Sequence, residues 1–225
     1  MSCRIFFVRH GETTWNVLLK LQGHSDVALS DRGREQAELL SQRLAAMKID
    51  CLYSSDLTRA CETAEIIAGP HALKVNKESS FREFNFGIWE GLTIEEVKKD
   101  YTGEIKQWWA NPMNTRIPGG EMLSEVVERS TIATKKIIDR HNGETVLIVA
   151  HGGVIRSIIG SVLGLNLNEH WRLHLDNTGM SLLDFPRWEH GTLKLFNDCA
   201  HLKNRDYLRP KNNGTISTMA GKMMS

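Results

Sequence analysis

Ile5-Phe6-Phe7-Val8-Arg9-His10-Gly11-Glu12-Thr13 decides how the rest of the chain is read. An apolar run ends on a guanidinium and an imidazole, and Gly11 then frees the backbone to turn. This is the pattern of a buried strand delivering polar groups at its carboxyl end, where open α/β sheets bind ligands. No carboxylate stands ready to neutralise Arg9 and His10, so the pair points to an anionic ligand. A second run ends the same way: Thr145-Val146-Leu147-Ile148-Val149-Ala150 leads into His151-Gly152-Gly153.

Strand-like runs recur at about Arg4–Val8, Cys51–Tyr53, Val146–Ala150, Met180–Phe185 and Leu193–Asn197, with a weaker one at Lys74–Val75. Helical patterns fall between them. Ser30 is a good N-cap for a helix whose Ala37, Leu40, Leu44 and Met47 share a face. Asp56 is read as the cap of a second, with Ala60, Ala64 and Ile67 turned inward. A third runs from about Glu121 to His141, and a fourth starts at Gly152 and carries Val154, Ile155, Ile158, Ile159 and Val162. Alternating strands and helices predict a three-layer α/β/α sandwich around a mostly parallel sheet. Residues 1–202 read as one domain. Within it, residues 93–118, with Trp108 and Trp109, form a candidate lid or a packed insertion. Residues 203–225 are polar and read as a disordered tail.

The 225 residues suffice for one large core, and a formal net charge of +1 gives no global field for nucleic acid or an anionic membrane. No apolar run approaches the ~20 residues needed to cross a bilayer. The start lacks a secretory leader pattern, and four scattered cysteines form no C-x-x-C pair. A cytoplasmic protein with reduced thiols is expected. The nine histidines show no ligand spacing with those cysteines, so no metal is expected.

Further residues converge on the same pocket. Arg59 follows the strand-like Cys51–Tyr53 at the start of a helix, where free N–H groups also attract anions. Its plainer reading is a surface salt bridge. Glu83 lies among Phe81, Phe84 and Phe86, an unusual place for a solvated carboxylate; its plainer reading is an ion pair with Arg82. Asn16 and Gln22 follow His10 in a segment that turns at Gly23, and ordinary loop hydrogen bonding would explain them equally.

Taken in order, these motifs resemble the histidine phosphatase superfamily, which includes cofactor-dependent phosphoglycerate mutases. The likeness runs from about Arg4 to Leu202. It rests on Arg9-His10-Gly11-Glu12-Thr13 with Asn16, Gln22-Gly23-His24-Ser25-Asp26, and Leu29-Ser30-Asp31-Arg32-Gly33 with Gln36-Ala37. It continues through Ser54-Ser55-Asp56-Leu57-Thr58-Arg59-Ala60 with Thr63-Ala64, Phe81-Arg82-Glu83, Trp89-Glu90-Gly91, Gly119-Gly120-Glu121 and His151-Gly152-Gly153. One departure is Met122, where many relatives carry Ser.

The resemblance implies that His10 is a nucleophile forming a phosphohistidine. It also implies that Arg9, Arg59 and His151 hold the phosphoryl oxygens with help from Asn16, and that Glu83 is the general acid and then base. Gln22, Gly23, Arg82 and Gly152 become candidate substrate contacts. No cofactor is implied; the expected partner is a small-molecule phosphate ester, and a homodimer is compatible with the family. Only about two dozen residues separate Arg59 from Glu83, whereas resemblance to mutases usually includes a longer insertion there. The phosphatase side, including broad-specificity and alpha-ribazole phosphatases, is therefore favoured. Asn197-Asp198-Cys199-Ala200-His201-Leu202 also resembles the end of such domains. A mutase is the alternative, and a non-catalytic phospho-ligand binder a third reading.

Overall fold

The computed structural model describes residues 1–202; the tail expected at 203–225 lies outside them. Six strands form one sheet: β1 (Cys3–Arg9), β2 (Cys51–Ser54), β3 (Val75–Lys77), β4 (Thr145–Ala150), β5 (Met180–Phe185) and β6 (Thr192–Asp198), in the order β3-β2-β4-β1-β5-β6. The first four in that order run parallel, and β5 is antiparallel to both β1 and β6.

Period-two alternation sorts the strand residues between two cores. Ile5, Phe7, Val146, Ile148 and Ala150 face one, whereas Phe6, Val8, Leu147 and Val149 face the other. Helices α2 (Asp31–Leu44) and α3 (Thr58–Ala68) cover the second face through Leu40, Leu44, Ala60, Ala64 and Ile67. The first face is covered by α4 (Ile94–Asp100), α5 (Thr102–Ala110), α6 (Leu123–Arg140) and α7 (Gly152–Val162). The expected three-layer sandwich is what forms. A one-turn α1 (Thr14–Val17), closed by a Thr13–Asn16 capping box, follows the first strand.

Ser30 caps α2 as expected, accepting from Gly33 N at 3.0 Å. Met47 lies beyond the helix end and is exposed, because the helix stops before completing the turn that would bring it inward. The expected cap by Asp56 is corrected. Leu57 occupies the N-cap of α3, and the carboxylate of Asp26 takes the first orphan N–H, that of Thr58, at 2.7 Å. Asp56 is committed to Arg82 instead. The 93–118 segment is packed: Ile94, Val97, Ile105, Trp108 and Ile117 are all buried in the first core. Trp108 meets Phe84 and Trp89 edge-on at 5.8 Å, and Trp109 is half-buried beside it.

Candidate active site

The site follows from register. Arg9 pairs with Ala150 across parallel strands β1 and β4, so the next residue of each chain segment, His10 and His151, emerges at the same edge. Their rings lie 5.2 Å apart, and both are buried. β2 pairs with β4 one step further along the sheet, and the turn after it starts α3, which carries Arg59 inward to complete burial.

His10 Nδ1 lies 2.7 Å from the carbonyl oxygen of Gly11. A carbonyl only accepts, so Nδ1 carries the proton and Nε2 keeps its lone pair. Burial, then Arg59 and Arg9, hold His10 well below the usual imidazole range. His151 is depressed likewise, by burial first and Arg59 next.

The guanidiniums are held by backbone carbonyls. Arg9 Nη1 donates to Leu175 O at 2.6 Å; Arg59 donates to Gly23 O at 2.7 Å and Ser25 O at 2.9 Å. Arg59 is not a surface ion pair; burial draws its pKa down to about 10. Carbonyl anchoring orients each fork without a direct ion pair, although Glu83 acts on both arginines through space. The Nε atoms of Arg9 and Arg59 and both ring nitrogens of His151 are buried without a hydrogen-bond partner. Such groups are costly to leave unpaired, and they gather around one imidazole.

Glu83 does not pair with Arg82. Its carboxylate accepts from Phe84 N at 2.9 Å and from Gly153 N at 3.1 and 3.2 Å, seating it on the first turn of α7. Arg82 gives Nε and Nη2 to Asp56 at 2.7 and 2.6 Å, so its fork is occupied. Asn16 Oδ1 accepts from Thr13 N at 3.0 Å and Asn177 Nδ2 at 3.3 Å, while Gln22 Oε1 accepts from the Thr13 hydroxyl at 2.9 Å. Gly152 is buried at the helix start, within van der Waals reach of Arg9 Nε and Arg156 for any added Cβ. Gly23 has φ +53°, and a side chain there would collide with Glu90.

Several supporting groups were not singled out from sequence. Glu90 accepts from His24 N, Ser25 N and Ser25 Oγ at 2.8, 2.8 and 2.6 Å, and so holds the turn whose carbonyls anchor Arg59. Arg129 donates to the carbonyls of Ser80, Arg82 and Glu83 at 2.8, 2.6 and 2.9 Å and pairs with Glu121. It fixes the loop that carries Glu83. Arg156, buried on α7, gives Nε to Leu173 O at 2.7 Å. Glu90 and Glu121 lay inside recognised motifs, and Arg156 interrupts an apolar run. Arg129 carried no signal, being one charge among many on a long helix. Among the described residues no group of three or more His, Cys, Asp or Glu is placed to hold a metal ion.

The model of the histidine phosphatase superfamily (branch 1) matches residues 5–199, and the chain belongs to that superfamily. It is 38% identical over 208 residues to phosphoglycerate mutase-like protein 4 of Arabidopsis thaliana, covering 91% of this chain and 89% of that protein. It is 34% identical over 196 residues to phosphoserine phosphatase 1 of Hydrogenobacter thermophilus, covering 87% of this chain and 93% of that protein. A mutant phosphoserine phosphatase from Entamoeba histolytica, solved with phosphoserine, superposes with a TM-score of 0.81 at 30% identity, covering 89% of this chain and 99% of the other.

Proposed function

We propose that this protein hydrolyses small-molecule phosphomonoesters through a phosphohistidine on His10. The observation that carries the reading is the Nδ1 bond to Gly11 O, which leaves the Nε2 lone pair on a ring surrounded by unpaired cationic and imidazole nitrogens. In the first step Nε2 attacks phosphorus, the ester P–O bond breaks, and protonated Glu83 gives its proton to the departing oxygen. In the second, Glu83 takes a proton from water, whose oxygen displaces His10 and releases phosphate. Arg9, Arg59 and His151 bear the charge on the equatorial oxygens, which is most of what phosphoryl transfer asks of a protein. Asn16, Gly152 and the Gln22–Gly23 backbone border the substrate; Arg82 acts at one remove through Asp56. Residues 93–118 form a fixed wall behind the Glu83 loop. Free thiols at Cys3, Cys51, Cys61 and Cys199 favour a cytoplasmic setting.

Similarity to a mutase-like protein keeps one second reading in view, transfer of phosphate between phosphoglycerate isomers. The test is a panel of phosphomonoesters assayed with excess chelator, beside an exchange assay supplied with 2,3-bisphosphoglycerate. Hydrolysis should exceed exchange and survive chelation, because the guanidiniums already provide the positive charge. Dominant exchange would favour the mutase. Activity restored only by a divalent metal would overturn the metal-free mechanism.

A further inference from the structure

The end of the last strand reaches back to the nucleophile. Asn197 sits near the end of β6 in the left-handed region, at φ 48°. There its carboxamide grips one residue twice: Asp176 N donates to Asn197 Oδ1 at 2.9 Å, and Asn197 Nδ2 donates to Asp176 Oδ2 at 2.8 Å. The segment so held makes three contacts with the end of β1. Leu175 O accepts from Arg9 Nη1 at 2.6 Å, Asn177 Nδ2 donates to His10 O at 3.0 Å, and Thr178 N donates to Arg9 O at 3.0 Å. His201 adds a second tie from the same terminus, 2.9 Å from the Thr178 hydroxyl.

We propose that Asn197 is a positioning residue for Arg9 and His10, holding the 175–178 segment through its two-point grip on Asp176. The proposal rests on the phosphatase reading for what Arg9 and His10 then do. A half-buried amide placed only to end a strand would not need a left-handed backbone and both faces of its carboxamide on one partner. Fixing Leu175 O fixes the Arg9 fork, and displacement of such a group by about 1 Å can cost ~10²-fold in rate.

The chemistry of the grip gives a test that a general loss of packing would not mimic. In Asn197→Asp the accepting oxygen remains, but the donor is replaced by a second carboxylate facing Asp176. At neutral pH the two repel; once they share one proton, an O–H donor stands where the amide stood. The other ionisable groups facing this pair are His174, 3.0 Å from Asp176, then Arg9 and Cys199, with Asp198 and Arg43 beyond. All are present in Asn197→Ala, which adds no charge, so the pH profile of Asn197→Ala gives the background titration against which that of Asn197→Asp is read.

The experiment uses the full chain and measures kcat/KM for p-nitrophenyl phosphate, and inorganic phosphate affinity by calorimetry, between pH 5 and 8. Asn197→Ala should lose ~10-fold or more at every pH. Asn197→Asp should lose as much at pH 8 yet return to within about threefold of wild type at pH 5. Circular dichroism at pH 8 is the folding control: Asn197→Asp should keep the wild-type spectrum there, and an unfolded spectrum would overturn the positioning role. A pH-independent ratio for Asn197→Asp, or near-normal Asn197→Ala, would overturn the proposal. Should the wild type bind phosphate but not hydrolyse esters, the phosphatase reading fails, and the affinity ratios still decide the role of Asn197.

Discussion

Glu83 accepts the backbone N–H of Gly153 through both carboxylate oxygens, at 3.1 and 3.2 Å. The loop that carries the candidate proton donor is thereby docked on the helix that begins beside His151. Gly153 leaves room for this. A Cβ added there would stand on Glu83 Oε1. The obstructing atom is the end of a flexible side chain, so the carboxylate would move rather than the helix.

Gly153→Ala should therefore imitate loss of Glu83 while leaving the fold intact. Glu83→Gln keeps shape and hydrogen bonding but cannot deliver a proton. Both variants should slow alkyl phosphates more than p-nitrophenyl phosphate, by a further ~10²-fold for Glu83→Gln, because a basic leaving oxygen depends most on protonation. The comparison belongs on the phosphorylation step, measured by rapid quench. Equal slowing of both substrates would assign Glu83 to positioning alone.

His10 should carry the covalent intermediate. Brief incubation with a labelled phosphomonoester, then denaturation, should leave acid-labile, base-stable phosphate on His10. His10→Ala should lose both label and turnover, and substantial turnover in it would refute covalent catalysis through His10.

The two arginines flanking the α3 turn should differ in kind. Arg59 is buried with a partnerless Nε, whereas Arg82 is bound twice by Asp56. Arg59→Gln should cost ~10²-fold or more in kcat/KM, within the range for removing one charge-stabilising donor. Arg82→Gln should change kcat/KM less than tenfold. Phosphate affinity should follow the same order. Equal losses would place Arg82 in direct contact with substrate.

Acid should weaken the fold through its buried imidazoles. His10, His151 and His170 all have depressed pKa values, His170 down to about 3 through burial and Arg156. The unfolded chain, with ordinary imidazoles near pKa ~6.5, binds more protons below that pH. Stability is thus fully present above about pH 6.5 and declines on acidification, by up to about 1.4 kcal/mol per pH unit for each group. His170 lies outside the proposed chemistry, so His170→Gln isolates one of them. Urea unfolding between pH 6.5 and 4.5 should show its stability falling less steeply, by about one proton. Parallel slopes would rule out a neutral buried His170.

By itself the sequence determined the sheet's strands to within a residue or two, the start of α7 at Gly152, and the placement of His10 at a strand end. Those features are local: alternation, an apolar run and a glycine after it act over a few residues. It also carried the superfamily through motifs that survive as ordered text. The partners of the charges were decided only in three dimensions. Arg82 was read beside Glu83, its neighbour in sequence, but reached back to Asp56; Asp56 was read as a cap, a role that fell to Asp26, 32 residues before Thr58. A long side chain can satisfy its charge on any element the fold brings near, so adjacency does not choose among partners. The grip of Asn197 on Asp176, and of Arg129 on the Glu83 loop, arises the same way. Strand order and register bring those chain segments together, and no short stretch of sequence encodes that meeting.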